Sequence, residues 1–229
     1  MFNNVIFKNL GRIKYKQAWD LQEELFLEVL DAKIRNAATR PQYLLFCEHE
    51  PVFTLGKSGD KHNLLITEQI CKAKNIDFHP INRGGDITYH GPGQLVAYPI
   101  IDMEQFKVGV KLYIWKLEET VIQTLKDFGI ESGRSENASG VWIDAEIPSK
   151  ARKICAIGVK TSRFVTMHGL ALNVNTDLDY FNYINPCGFT DRGVTSIQKE
   201  LGQKVDFQKV SDRMARAFEE VFGMNLSKN

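Results

Sequence analysis

The sequence of 229 residues has no apolar run long enough to cross a bilayer, which takes about 20 residues. Its first residues lack the apolar core and small-residue cleavage site of a secretory signal, and they are neither Ser-rich nor Arg-rich like a transit peptide. Lys+Arg number 29 against 28 Asp+Glu, so the chain has no net basic field to recruit nucleic acid or an anionic membrane. These absences predict a cytoplasmic protein that binds neither nucleic acid nor membrane.

Cysteine is scarce and irregularly placed. The four cysteines are Cys47, Cys71, Cys155 and Cys187, with no CxxC pair among them. Their spacing argues against a disulfide framework and predicts reduced thiols, which in most positions act as small buried hydrophobic side chains. The histidines do not fall at zinc-finger or HExxH spacings, so we expect no metal site. A phosphate loop of the GxxxxGK[ST] type is also absent.

The composition, with 43% hydrophobic and 25% charged residues, is that of a globular domain with a sizeable core, and we expect one domain over residues 1–229. Apolar residues recur at helical spacing in three segments. These segments are 15–36, 112–128 and 210–222. Short β-favouring runs lie between them, at 43–47, 51–56, 76–78, 95–101, 141–144, 153–160 and 164–174.

Two of these runs, 141–144 and 153–160, read as the arms of a hairpin, and Gly169 is expected to break the last run. Clusters of strands separated by a few helices predict an α+β or mixed α/β fold.

The segment 83–94, RGGDITYHGPGQ, concentrates glycine with residues that bind ligands. Adjacent Gly84 and Gly85 allow positive φ and close approach of a ligand to the backbone, whose N–H groups can bind an oxyanion. The turn at 91–93 would fix His90 relative to Gln94. A tight β-hairpin corner without a ligand is the alternative explanation.

Cys187 stands between Pro186 and Gly188, a setting typical of a turn that exposes the sulfur. The reactive species would be the thiolate, and because a free thiol has a pKa of about 8.5, it needs a nearby base or cation. From the residues alone, four side chains are candidates for that base or cation. A purely structural role for Cys187 also stays open. The candidates are Lys153, Lys160, His90 and His168.

The blocks RGGDITYHGPGQLVAYPI, GVWID, KICAIGVK, HGLALNV and NPCG, in this order over about 48–188, closely resemble the octanoyltransferases of lipoate biosynthesis. These enzymes are octanoyl-[acyl-carrier-protein]:protein N-octanoyltransferases, also called lipoyl(octanoyl) transferases. The resemblance implies the α/β fold shared with biotin and lipoate protein ligases, in which helices flank a mixed sheet.

The resemblance also implies the roles of particular residues. Cys187 would carry the acyl group as a thioester and Lys153 would activate it, whereas Cys155 would be a bystander. The implied substrate contacts are Arg83, Gly84, Gly85, Asp86, Ile87, Thr88, Tyr89 and His90, then Ala156, Ile157 and Gly158, and finally Gly169, Leu170 and Ala171.

The reaction implied is the first step of endogenous protein lipoylation. Octanoyl-acyl carrier protein would be the donor, and the acceptors would be lysines on lipoyl domains of 2-oxoacid dehydrogenase E2 subunits and on the glycine cleavage H protein. No cofactor would be needed, and a monomer is the expectation. Three alternatives remain: an ATP-dependent lipoate or biotin ligase, a hydrolase pairing Cys187 with His90 or His168, and a non-catalytic acyl or lipoyl-domain binding protein.

Overall fold

The computed structural model describes residues 3–136, 138–185 and 193–228. The strands are β1 Asn3–Ile13, β2 Tyr43–His49, β3 Val52–Leu55, β4 Asp77–Pro80, β5 Ile87–His90, β6 Gln94–Ile100, β7 Gly133–Ser135, β8 Ala138–Ile143, β9 Arg152–Ser162, β10 Val165–Asn173, β11 Gly193–Val194 and β12 Met224–Lys228. The α-helices are α1 Tyr15–Ile34, α2 Glu68–Ala73, α3 Val110–Lys126, α4 Ile197–Leu201 and α5 Phe207–Phe222, with 3₁₀ helices at Lys61–Asn63 and Leu178–Tyr183.

Two sheets organise the described residues. The larger one has the order β12-β1-β2-β6-β10-β9-β8-β7, and β11 adds to it by pairing with β9. Strands β12, β1 and β2 are mutually parallel, those from β2 to β7 are antiparallel, and β11 runs parallel to β9. The smaller sheet has the order β4-β3-β5. The predicted mixed sheet with flanking helices is confirmed.

Helices cover both faces of the large sheet because side chains alternate along each strand. In β2, Leu44 and Phe46 pack with α3 and α5, whereas Leu45 and Cys47 pack with α1. The three predicted helices are therefore the three that form the core. Within the described ranges, none of the helices is both long and apolar enough to cross a membrane.

The predicted hairpin of 141–144 and 153–160 is confirmed as β8 and β9, which pair antiparallel. The prediction that Gly169 breaks the last strand is wrong, because β10 continues through it and pairs Gly169 with Gly158. A Cβ atom on Gly169 would lie 2.1 Å from the carbonyl oxygen of Ala97. Glycine is needed here because β10 approaches β6 too closely to leave room for a side chain. In the sequence, a glycine that allows such close approach looks the same as one that ends a strand.

Candidate active site

A cavity of about 390 Å³ lies where β5 of the small sheet meets β6, β9 and β10 of the large one. Its walls come from segments distant in the chain, from Tyr15 at the start of α1 to Val194 in β11. Such a volume falls in the usual range for a small-molecule site.

Most of the residues predicted to contact substrate line this single cavity. They are Arg83, Gly85, Asp86, Ile87, Thr88, His90, Ala156, Ile157, Gly158, Gly169, Leu170 and Ala171. Lys153 lines it as well. Gly84 and Tyr89 are not among the lining residues, and contact with a substrate remains a prediction for all of these positions. Cys187 lies outside the described residues.

Hydrogen bonds hold the glycine-rich segment in one shape. The buried Arg83 guanidinium donates to the carbonyl oxygen and Oγ1 of Thr54 at 2.8 and 2.9 Å and to the carbonyl oxygen of Gly84 at 3.0 Å. Asp86 accepts from the backbone N–H of Ile87 and from the amide of Asn63, both at 2.6 Å. The segment is therefore anchored to β3 on one side and to the 3₁₀ helix Lys61–Asn63 on the other.

The turn after β5 leads the chain from the small sheet into the large one. Gly93 has φ +79°, and the N–H of Gln94 donates to the carbonyl oxygen of Gly91 at 3.2 Å. Among the described residues, β5 pairs with β3, whereas β6 pairs with β2 and β10. Strands β5 and β6 are therefore not the two arms of one hairpin. The hairpin-corner alternative therefore does not describe this turn, which lies at the junction of the sheets beside the cavity.

Lys153 sits on β9 between two neighbouring strands, paired with Trp142 of β8 and Val194 of β11. Its Nζ lies 4.6 Å from the centroid of the Trp142 ring, a cation–π distance. Lys160, the other lysine candidate, lies further along β9 with its Nζ 5.0 Å from the ring centroid of Phe26 on α1. Only Lys153 of these two lysines lines the cavity.

Three buried histidines lie at the cavity or beside it. His90 Nδ1 is 2.7 Å from Gln94 Oε1, and His168 Nε2 is 2.7 Å from Asn82 Oδ1. His49 Nε2 is 2.7 Å from the Tyr98 hydroxyl. Burial lowers the pKa of His49 to about 4 and that of both His90 and His168 to about 3. The three rings are therefore neutral at pH 7.

His168 departs from the strand geometry around it. Its φ is +62°, and its Nε2 lies 2.7 Å from Asn82 Oδ1. Its backbone N–H donates to Gln22 of α1 at 3.1 Å. A non-glycine residue at positive φ is uncommon and strained, and such positions concentrate at functional sites.

The neutral histidines predict that the protein is destabilised by acid. In the unfolded chain a histidine titrates near pKa 6.5, so between pH 6.5 and about 4 the unfolded state binds protons that the folded state does not. The free energy of unfolding should therefore fall as pH falls through this range, by up to roughly 4 kcal/mol per pH unit for three sites together. Urea denaturation at pH 7.5, 6.5 and 5.5 measures this fall.

Replacing His49 with glutamine should make that fall shallower by about a third, because one of the three titrating rings is removed. An unfolding free energy that stays constant from pH 7.5 to 5.5 would contradict the neutral state of these rings.

The three described cysteines are buried free thiols, as expected of small hydrophobic side chains. Cys155 belongs to the core on the α3 and α5 side, away from the cavity lining. Burial raises the pKa of the Cys47, Cys71 and Cys155 thiols. None of the three is therefore suited to act as a nucleophile in the folded protein.

Sequence reasoning missed several residues of the cavity wall. Gln94, Trp142 and Asn173 stand inside the quoted motif blocks but were given no substrate contact, although all three line the cavity. Tyr98, which also stands inside the first block, lines the cavity too, and so does Tyr15, whose sequence neighbourhood carries no ligand-binding motif. Their position depends on how α1 and β6 pack.

The fold is that of a lipoate protein ligase. A bi-partite lipoate protein ligase from Thermoplasma acidophilum is similar with a TM-score of 0.69, over 99% of this chain and 87% of that one. The sequences are only 16% identical, so this likeness concerns the fold alone. The family model described as the lipoyl protein ligase A/B catalytic domain matches residues 14–219.

Comparison with similar sequences identifies one group of enzymes within this family. An octanoyltransferase of Parabacteroides distasonis is 53% identical over 216 residues, covering 94% of this chain and 97% of that protein. An octanoyltransferase of Porphyromonas gingivalis is 54% identical over 218 residues, which is 95% of this chain but only 44% of the relative. The chain belongs to the octanoyltransferases, acyltransferases of the lipoyl protein ligase A/B catalytic family.

Proposed function

We propose that this protein transfers an octanoyl group from octanoyl-acyl carrier protein to a lysine of a lipoyl domain, through a thioester on Cys187. The observation that carries the proposal is the placement of Lys153 in the wall of the same cavity as the glycine-rich segment and the 156–158 and 169–171 strands. A lysine amine, apolar side chains and part of a glycine-rich segment thereby line one cavity, which supports the proposal.

The chain on either side of Cys187 supports its place at this cavity. Asn185 donates its N–H to the carbonyl oxygen of Asn63 at 2.8 Å, and Asn63 in turn donates to Asp86 in the cavity wall. Cys187 is two residues beyond Asn185, so their Cα atoms are at most about 7 Å apart. At the other end of the segment, Gly193 and Val194 line the cavity beside Lys153.

The apolar part of the wall suits a medium-length acyl chain. Ile87, Val96, Ile157 and Leu170 contribute hydrophobic surface from four different strands. Burying each CH₂ is worth about 0.8 kcal/mol, so a seven-carbon tail would contribute roughly 5 kcal/mol before losses. A cavity closed at the depth of eight carbons would exclude longer chains.

Lys153 is a better base than either cavity histidine. Because burial lowers the pKa of His90 and His168 to about 3, neither ring can draw a proton from a thiol with a pKa of about 8.5 at neutral pH. An amine in a pocket can lose its proton and act as base and then as acid. This comparison favours the transferase over a hydrolase that pairs Cys187 with a histidine.

In the first half-reaction, Lys153 takes the proton from the Cys187 thiol, and the thiolate attacks the octanoyl carbonyl. Backbone N–H groups of the glycine-rich segment and of the residues near Cys187 stabilise the oxyanion. The bond to the carrier's sulfur breaks, and Lys153 returns the proton to that sulfur. In the second half-reaction the ε-amine of the acceptor lysine attacks the thioester, and its proton passes through Lys153 to Cys187.

Exchange of one thioester for another is nearly isoenergetic, and conversion of a thioester to an amide is downhill, so the chemistry needs no nucleotide. The proposed acceptors are lipoyl domains of 2-oxoacid dehydrogenase E2 subunits and the glycine cleavage H protein. We also propose that residues 1–229 form one catalytic domain that acts as a monomer in the cytoplasm.

Incubation with octanoyl-acyl carrier protein tests the proposal. The intact mass of the protein should rise by one octanoyl group, hydroxylamine should release it, and an added lipoyl domain should take it up on lysine. Free octanoate with ATP serves as the comparison and should give no product. Octanoylation of the lipoyl domain only from free octanoate and ATP would instead identify a ligase, and release of free acid would identify a hydrolase.

A further inference from the structure

The cavity is exposed on one side and closed on the other. On the side of β8, β9 and β11, where Lys153 lies, the lining includes the exposed residues Ser139 and Gly193. On the side of β6 and α1 it includes Tyr98 and Tyr15, which are only 4% and 2% exposed. An acyl group whose carbonyl reacts near Lys153 would therefore extend its tail toward these two tyrosines.

The floor between the two sides consists of small side chains. Ala171 of β10 pairs with Ala156 of β9 and with Val96 of β6, and the three form one row across the sheet. Val96 and Ala171 belong to the core cluster that packs with α1, so this row lies on the α1 face. Adjacent strands are about 4.8 Å apart, which gives the row a span of roughly 10 Å. An extended chain advances about 1.2 Å per bond, so an octanoyl group of roughly 8 Å fits across it.

Tyr98 stands at the β6 end of this row and is fixed there. It lies two residues after Val96, so both side chains are on the α1 face. Its hydroxyl lies 2.7 Å from His49 Nε2, and His49 Nδ1 lies 3.0 Å from the carbonyl oxygen of Ile13. Because a carbonyl oxygen only accepts, Nδ1 carries the proton of the neutral ring, and Nε2 accepts from the tyrosine hydroxyl. The polar atom of Tyr98 is therefore paired, and its ring is held in one position.

Other aromatic rings pack beside Tyr98. The centroids of the Tyr98 and His49 rings are 5.9 Å apart. Tyr15 packs edge-on to His49 at 5.2 Å and stacks parallel to His90 at 6.0 Å between centroids. We call Tyr15, His49, His90 and Tyr98 the aromatic end wall, and all four are at most 7% exposed. Buried groups packed in this way admit an extra methylene group only with strain.

We propose that the ring of Tyr98 limits the length of the acyl chain that this cavity accepts, an inference that rests on the proposed function. The tail of an octanoyl group would end against the ring, and each further methylene group would have to displace the aromatic end wall. Tyr98 is thus a specificity-determining residue that acts on the tail, away from the reacting carbonyl. It lies outside the segments 83–90, 156–158 and 169–171, whose substrate contacts the resemblance implies.

Tyr98→Ala tests this role. The kcat/KM for transfer to a lipoyl domain is measured with carrier proteins that bear hexanoyl, octanoyl, decanoyl or dodecanoyl groups. The wild type should prefer octanoyl. In the variant the ratio of the decanoyl to the octanoyl value should rise by about tenfold, because burying each additional CH₂ is worth a factor of about four.

Matched variants separate the ring of Tyr98 from its hydroxyl and from general loosening of the core. Tyr98→Phe keeps the ring and loses the bond to His49, so it should keep the wild-type ratio. Tyr43→Ala removes a tyrosine of similar burial, 5% exposed, from the same core cluster, but Tyr43 is not among the described residues that line the cavity. It should lower the melting temperature to a similar degree and leave the ratio unchanged. Tyr98→Leu removes less volume and should give a smaller shift, so it serves should the alanine variant fail to fold.

An unchanged ratio in folded Tyr98→Ala or Tyr98→Leu overturns the role of Tyr98. An equal rise in Tyr43→Ala also overturns it, since the loss of any buried ring would then suffice, and an equal rise in Tyr98→Phe would assign the limit to the hydroxyl instead of the ring. Failure of the proposed function has a different signature, because the wild-type protein would then transfer no acyl group of any length from the carrier protein.

Discussion

Replacing Cys187 with alanine should abolish the octanoyl adduct and lower the rate of octanoyl transfer on the order of 10⁴-fold or more, as expected on loss of a covalent nucleophile. The sulfur is the only atom of this side chain that can form the thioester, and alanine offers no substitute. Intact-mass measurement after incubation with octanoyl-acyl carrier protein detects the adduct directly. An assay of octanoylation of an added lipoyl domain measures the transfer.

Cys155→Ala is the control for this substitution. Cys155 is two residues from Lys153 on β9, but it is fully buried in the core cluster that packs with α3 and α5 and is not among the residues that line the cavity. Its removal should cost about 1 kcal/mol of stability and leave the adduct intact. An adduct of undiminished yield on Cys187→Ala would show that another group carries the acyl chain.

Replacing Lys153 with methionine should leave the fold intact and slow both acyl-enzyme formation and alkylation of Cys187, by roughly 10²-fold to 10⁴-fold for the enzymatic step. Methionine keeps most of the apolar stem against Trp142 but has no amine to accept the thiol proton. The pH profile of alkylation should move toward the ordinary thiol pKa of about 8.5.

Two further variants separate the roles of charge and proton transfer. Lys160→Met removes a lysine of the same strand that lies over Phe26, and it should leave the profile unchanged. Lys153→Arg keeps the positive charge but cannot give up a proton near neutral pH, so it should retain thiolate formation and still turn over slowly. Wild-type rates for Lys153→Met would exclude Lys153 as the base.

The first and last strands of the chain, β1 and β12, illustrate what local sequence leaves open. The pattern of β1, with most of its residues only partly buried, gives no clear period of two, and it was not predicted. It becomes a strand because it pairs in parallel with β2 on one side and with β12 from the other end of the chain. Pairing between residues some 220 positions apart is a tertiary property, and no local propensity encodes it.

The sequence by itself determined the three main helices, the central strands and the family. These follow from local causes: apolar residues at helical or strand spacing, and ordered motif blocks whose glycines, lysine and cysteine belong to one chemistry. The same motif blocks contain most of the residues that meet in the cavity wall, and about half of that wall was assigned a role from the sequence.

Only the tertiary structure decided which of the two candidate lysines lines the cavity. Lys153 and Lys160 lie on one strand and look alike in sequence, but Val194 and Trp142 flank the first and Phe26 underlies the second. The hydrogen bonds that join Asn173 of β10 to Gln94 of β6 and to the backbone of Thr195 likewise form only once these segments meet. Side-chain direction and burial are set by which strands become neighbours, and therefore they emerge only when the sheet is assembled.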